Sequence, residues 1–436
     1  MRAAVVGNTR WKFFWLLAAM AFLSYALRQD IQVAGQFMMP ALGIDEVQMG
    51  WIYAAFPLGY AIGQLPGGML GERFGARRVL AILGVMWLLT SVATGFLPGF
   101  FAGSVAAVIG VLLVVRFLVG LVHAPIFPVQ AVAIAAWFPV GHWGLPTSLS
   151  SAGLTLGAAA TQPLVAAAMI AWGWQSAFYI YIPFGVLLFL WWWWYATDDP
   201  AVHPGVAPAE LALIRAGRKA LDGVPAEEKG AWFRLLGNRD TLLLAVAYFS
   251  MNVVFYLFFT WFLHYLVKVR GFSLLENGGW LAALPWLTGC FAAVLGGWTC
   301  DVLCARLGPR LGCRIPGACG MAATAVFLIV GLHVDNAYLA VALMSLCFAS
   351  TQFTEAAFWE AQTFLAPAHA GSGTGIMNTG ANVAGFIVGP LVPWLAVNQG
   401  LGWVPTLGGA AGFALLSSVL WLFVRADMPL SAKVPS

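Results

Sequence analysis

The sequence predicts an all-α membrane protein, with twelve transmembrane helices in two six-helix pseudo-repeats. Three observations carry this. Of the 436 residues, 61% are hydrophobic and only 9% charged, a composition that suits runs of about 20 apolar residues crossing a bilayer and excludes a soluble domain. A charged, glycine-rich turn, Gly67-Gly68-Met69-Leu70-Gly71-Glu72-Arg73-Phe74-Gly75-Ala76-Arg77-Arg78, returns in reduced form as Gly296-Gly297-Trp298-Thr299-Cys300-Asp301, followed by Arg306, Gly308 and Arg310. Gly67 to Gly296, Gly68 to Gly297 and Glu72 to Asp301 are each 229 positions apart, about half the chain, which reads as duplication. Finally, the basic residues alternate in a way that only an even number of crossings satisfies.

Apolar runs between polar or Gly/Pro breaks place the helices at residues 12–40, 47–70, 79–97, 104–137, 144–171, 175–195, 240–268, 275–304, 315–332, 337–365, 372–397 and 402–425. Arg10 and Lys12 precede an apolar stretch too long for a signal-peptide core, with no small-residue cleavage site, so the first helix is expected to stay. The charged turn follows the second helix of each half. Its glycines let helices approach, and Gly68, Glu72, Arg73, Arg77, Arg78, Asp301 and Arg306 are expected to form a gating latch that pairs helix ends. The tryptophans Trp191 to Trp194 end the sixth helix, where an aromatic belt lies. Residues 198–239, with Pro200, Pro204, Pro208, Pro225 and charges of both signs, form a linker between bundles 1–197 and 240–436. The middle of that linker, about 208–221, reads as a short amphipathic surface helix.

Orientation follows from lysine and arginine placement. Of the 21 Lys and Arg residues, Lys268 and Arg270 fall outside, Arg28 and Arg116 lie at membrane depth, and the rest collect on the cytoplasmic side. Both termini are therefore expected in the cytoplasm. The formal charge of +4 comes from these loops and carries no implication of nucleic acid. The six cysteines, Cys290, Cys300, Cys304, Cys313, Cys319 and Cys347, all lie in the second half with no CxxC pair. Only Cys300 and Cys304 share a helix face, and the six read as small packing residues with no metal or cofactor.

Ionisable groups at membrane depth cost at least a few kcal/mol unless they face a wet cavity or a partner, so they are functional candidates. They are Arg28 and Asp30 on the first helix, Arg116 and His123 on the fourth, His264 on the seventh, and Glu355 and Glu360 on the tenth. Two permanently charged guanidiniums suit a carboxylate or phosphate, which points to an anionic substrate. The alternative is internal pairing, for instance of Arg28 with Asp30 or a tenth-helix glutamate. His123 follows Arg116 by two turns on one face, where its proton would be felt by the anion; alternatively it is neutral and bonded to a backbone carbonyl. Glu355 and Glu360 are about 140° apart around their helix, so one is expected to face a cavity and the other to pair. His264, near its helix end, reads as interfacial. Tyr25, Tyr60, Gln64, Asn378 and Asn382 add hydroxyl and amide donors around the dibasic centre, or serve as ordinary interhelical hydrogen bonders.

The turn at Gly67 to Arg78, with its second copy, resembles the loop signature of the major facilitator superfamily. Further stretches resemble its anion:cation symporter family, the group of bacterial sugar-acid and animal organic-anion transporters. They are Met49-Gly50-Trp51 through Tyr60 to Gln64-Leu65-Pro66-Gly67-Gly68; Arg116-Phe117-Leu118-Val119-Gly120 with Ala124-Pro125 and Trp137-Phe138-Pro139; Thr260-Trp261-Phe262 with Tyr265-Leu266-Val267; and Phe358-Trp359. The resemblance implies the major facilitator fold and alternating access, with Arg28 and Arg116 engaging the anion and Tyr60, an eleventh-helix asparagine and Trp359 assisting. Three positions depart from the family. Leu27 stands where an acid precedes the first-helix arginine, His123 where a glutamate follows the fourth-helix arginine, and Leu154 where the fifth helix has a glutamine. The two missing acids are the family's proton-coupling groups, so coupling would pass to His123, foremost, or to Glu355, Glu360 or Asp30; without such a carrier the chain would be a uniporter or anion exchanger. A membrane receptor is a further alternative. No convergent catalytic set and no phosphate-binding loop are present, so neither an enzyme nor an ATP-driven pump is expected. The expected partners are a small organic anion, protons and the lipid bilayer, with the chain acting as a monomer.

Overall fold

A computed structural model describes residues 7–139, 142–215, 235–273, 277–366 and 370–428, with the side chains of residues 65, 68, 72, 144, 148 and 370–372 outside that description. The described secondary structure is helical throughout, and it follows the expected twelve passes with several of them broken. Helices α1 (Thr9–Leu42), α2 (Glu46–Phe74) and α3 (Ala76–Phe96) are the first three spans. Gly43, at φ 66°, turns the chain out of α1, and Gly75, at φ 81°, turns it into α3; only glycine adopts this left-handed region without a steric penalty.

The fourth expected helix is two, α4 (Val105–His123) and α5 (Ile126–Trp137), separated at Ala124-Pro125. Proline has no N–H and cannot continue the ladder. Ser104 caps α4 by accepting from the Ala107 N–H at 3.3 Å. Helix α6 (Gly144–Trp172) is the fifth span, and a short 3₁₀ turn, Trp174–Phe178, leads into α7 (Ile182–Tyr195), the sixth. The linker holds a helix, α8 (Pro208–Arg215); the rest of the surface helix expected to 221 lies outside the described residues.

In the second half, α9 (Arg239–Thr260) and α10 (Phe262–Lys268) replace the seventh expected helix, broken at Trp261. The eighth and ninth are one element, α11 (Gly279–His333), whose arms 279–307 and 309–333 meet at Gly308, φ 80°. Helices α12 (Ala337–Leu365), α13 (Ala370–Pro393) and α14 (Trp403–Trp421) complete the series, α13 passing into a π-helical turn, Trp394–Asn398. Among the described residues, nine helical segments are long and apolar enough to cross a membrane, counting the bent α11 as one.

The chain divides into two compact units, residues 1–43 with 58–224, and 44–57 with 225–436. Glycines set the close helix approaches inside each, as the turn motif predicts. In the first unit, a Cβ at Gly59 would collide with the Phe117 carbonyl, at Gly67 with Pro125 and at Gly157 with the Phe22 carbonyl. In the second, a Cβ at Gly296 would collide with the Phe353 carbonyl, and one at Gly289 would sit 2.8 Å from the Phe348 ring. The first turns of α2 belong to the second unit, where Gly50 and Gly389 bring two backbones together and Lys268 pairs with Glu46 at 3.0 Å.

Candidate functional site

In the first unit the two deep arginines meet. Arg28 and Arg116 are only 4% and 2% exposed. The Arg28 guanidinium lies over the rings of Tyr25, one turn earlier on α1, at 4.9 Å, and Tyr60 on α2, at 4.8 Å. Aromatic faces stabilise a cation most where water is excluded. Its Nη2 donates to the His123 backbone oxygen at 3.4 Å, and Arg116 Nη2 donates to the Arg28 backbone oxygen at the same distance. The middle of α1 and the last turns of α4 are thus tied by arginine-to-carbonyl bonds in both directions around one charged centre.

Asp30 completes that centre. Its Oδ1 accepts from the Ile31 N–H at 2.6 Å and lies 3.8 Å from Arg116 Nη1. Oδ2 is buried without a hydrogen-bond partner among the described residues. Tyr181, within electrostatic reach of this carboxylate, donates its hydroxyl to Thr161 Oγ1 at 3.1 Å. An internal ion pair of the kind considered from sequence therefore exists, between Asp30 and Arg116.

His123 is placed differently from the foremost expectation. Its ring stacks on Trp87, 4.8 Å between centroids and 16° between planes, and Nδ1 donates to the Val119 carbonyl at 2.8 Å. Its backbone oxygen accepts from Arg28, and its ring is bonded to a backbone carbonyl, the geometry of the alternative considered from sequence. The ring packs flat because Trp87 is itself fixed by donation from Nε1 to the Val122 carbonyl at 2.7 Å. Leu154, in place of the family glutamine, is buried as an apolar side chain.

The second unit carries a polar cluster without a permanent cation among the residues that form it. Glu355 accepts from the Tyr248 hydroxyl and from Trp359 Nε1, both at 2.8 Å. Asn382 accepts from the Tyr256 hydroxyl at 3.1 Å and donates to the Asn378 carbonyl at 2.8 Å. Both tenth-helix glutamates are thus partnered, and Glu360 points elsewhere, toward Cys304. His264 packs its ring 4.7 Å from Trp403. Gln64 is half-buried, one turn from Tyr60. Sequence reasoning missed Tyr181, Tyr248 and Tyr256, since a tyrosine in an apolar helix reads as packing until its partner on another helix is known.

The residues expected to form the latch are described only in part. The side chain of Glu72 and the surroundings of Gly68 lie outside the described residues, and Arg73, Arg78, Asp301 and Arg306 are exposed. Arg77, one of the expected latch residues, holds the loop. Its N–H donates to Asp198 Oδ1 at 2.8 Å, and its Nη2 to the Trp193 carbonyl at 2.6 Å. Arg310 reaches Asp427 at 4.0 Å in the second unit. Asp198 and Asp427 are themselves 229 positions apart, so the repeat extends to the acid that receives the loop arginine.

A duplicated array of apolar helices with buried cations in its first half defines a multi-pass membrane transporter, not an enzyme. The chain belongs to the Major Facilitator Superfamily, whose family model matches residues 14–389. It is 32% identical over 402 residues to a Bacillus subtilis (strain 168) protein named "Probable galactarate/D-glucarate transporter", covering 90% of this chain and 86% of that one. It is 30% identical over 418 residues to the "Probable sulfoacetate transporter" of Cupriavidus necator, covering 94% of each. Its fold is similar to that of a bacterial homologue of the human lysosomal transporter Spinster, with TM-score 0.74, 16% identity and coverage of 96% and 98%.

Proposed function

We propose that this transporter moves a small organic acid bearing two negative groups, by alternating access and together with a proton that Asp30 carries. The observation that carries the reading is the triad of Arg28, Arg116 and Asp30, buried together in one unit. Arginine keeps its charge at every cellular pH. With Asp30 ionised the triad has one net positive charge; with Asp30 protonated it has two and matches a dianion. Protonation also frees Arg116 from its carboxylate for bidentate use on the substrate. Galactarate and D-glucarate carry two carboxylates and sulfoacetate a sulfonate and a carboxylate, which supports the same charge class here. Tyr25, Tyr60 and Gln64 would supply the polar contacts around the triad that choose among dianions.

On this reading the protein acts in the bacterial inner membrane as a monomer with both termini cytoplasmic, and residues 1–197 and 240–436 would act as its two bundles, joined by 198–239. Uptake by proteoliposomes tests the reading. Dianion influx should rise as external pH falls from about 8 to 5.5, with protons moving alongside, because protonation and anion binding favour each other. A pH-independent rate without proton flux would leave uniport or exchange, the reading that Leu27 and His123 favour. Tight binding of monoanions alone would overturn the dianion assignment.

A further inference from the structure

A second chemistry-bearing cluster lies away from the arginines, at the bend of α11. Cys300 and Cys304 stand one turn apart on the 279–307 arm, Cys313 begins the 309–333 arm, and Glu360 comes from α12. The four donor atoms lie within 4.8 Å of one another; Cys300 and Cys313 are buried, Cys304 and Glu360 half-buried. Cys300 Sγ is 4.0 Å from Cys313 Sγ, Cys304 Sγ is 3.6 Å from Cys313 Sγ, and Cys304 Sγ is 3.6 Å from Glu360 Oε2. A tetrahedral ion with metal–sulfur bonds of about 2.3 Å sets its sulfurs roughly 3.8 Å apart. The separations are those of a first coordination shell.

We infer that Cys300, Cys304, Cys313 and Glu360 form a tetrahedral site for a thiophilic divalent cation of the Zn²⁺ class. Two further features fit a cation. Asp301 lies within electrostatic reach of Glu360, placing a second carboxylate beside an already electron-rich cluster. Gly312 allows the convergence, because a Cβ there would collide with the Cys304 backbone and sulfur. A disulfide between Cys304 and Cys313 would use two donors and leave Cys300 and Glu360 without a role. Binding would release the thiol protons to solvent and fasten both arms of α11 to α12.

The test uses the full chain in detergent, reduced, stripped by a chelator and titrated with Co²⁺. About one equivalent should bind with thiolate-to-cobalt charge-transfer and tetrahedral d–d absorption, and Zn²⁺ should displace it. Cys304→Ser and Cys313→Ser should each weaken binding by about tenfold or more, while Cys319→Ser, at an exposed position, leaves it unchanged. Alkylation mapping of the wild-type chain covers the chance that a ligand variant misfolds. Zn²⁺ should protect Cys304, a chelator should reverse this, and Cys319 should react equally in both states. Absence of the cobalt–thiolate band, equal Cys304 alkylation with and without Zn²⁺, or a Cys304–Cys313 disulfide in place of metal would overturn the site.

Discussion

The two halves use one joint and two chemistries. In the first, a left-handed glycine, Gly75, turns α2 into α3, and Asp198 binds the Arg77 N–H beside it. In the second, Gly308 turns one arm of α11 into the other with nearly the same φ. The joining glycines are 233 positions apart, whereas Gly67 and Gly296 before them, and Asp198 and Asp427 after them, are 229 apart. The second joint is thus four residues longer on its way to the glycine, and those residues extend the arm around Cys304. Charge follows the same division, with the permanent cations at depth in the first half and tyrosines, asparagines and Glu355 in the second. Duplication preserved the backbone event, and the side chains around it diverged.

The largest effect that tests this division is on binding itself. Arg28→Ala and Arg116→Ala should each abolish the ligand-induced thermal shift and lower uptake by about 30-fold or more, since truncating a buried, hydrogen-bonded charge costs about 2–5 kcal/mol. Glu355→Gln keeps an oxygen that accepts from both Tyr248 and Trp359, so uptake should fall less than about tenfold. Equal losses in both halves would break the division.

The next effect separates carriers within the first half. Asp30→Asn removes the carboxylate beside Arg116, so uptake should lose its rise at low pH while exchange of bound dianion persists. His123→Gln should keep most of that rise, because the ring is held against Trp87 and the Val119 carbonyl. Loss of the pH dependence in His123→Gln with retention in Asp30→Asn would return the proton to the histidine.

Much of this was legible in the sequence, and the reasons for the rest are specific. Helix count, the repeated turn and the deep ionisable residues follow from apolar run lengths and a fixed offset, both one-dimensional signals. The meeting of Arg28 with Arg116 required only that the first and fourth helices be neighbours. The Asp30 partner, the stacking of His123 and the grouping of Cys313 and Glu360 with Cys300 depend on helix rotation and on the bend at Gly308, which periodicity does not encode. The break at Pro125 was signalled by proline itself; that at Trp261 had no such marker.

A third effect is on packing, and here the halves should agree. Gly67→Ala and Gly296→Ala would drive a Cβ into Pro125 and into the Phe353 carbonyl, and each should destabilise by about 1–3 kcal/mol. Gly297→Ala is the internal control, since its Cβ would meet nothing closer than Ala356 at 3.8 Å. Detergent thermostability should fall for the first two and hold for the third. A tolerated Gly296→Ala would show that α11 and α12 can part at no cost.

The smallest effect separates the two acids that receive the loop arginines. Asp198 does two things: its carboxylate accepts the Arg77 N–H at 2.8 Å, and it lies at the start of α3, where Gly75 offers no side-chain cap. An acid from a distant segment therefore supplies the missing cap and sits at the positive end of the helix dipole. Losing such a cap costs about 1 kcal/mol, so Asp198→Ala should lower the midpoint of thermal unfolding measurably. Asp427 makes only a 4.0 Å contact with Arg310, with side chains 47% and 41% exposed. Solvent screens such a pair almost completely, so Asp427→Ala should leave the midpoint unchanged within error and salt should not alter that result. Equal losses from the two variants would mean that Asp427 also binds the backbone of the second arm, making the two joints alike in chemistry as well as in turn.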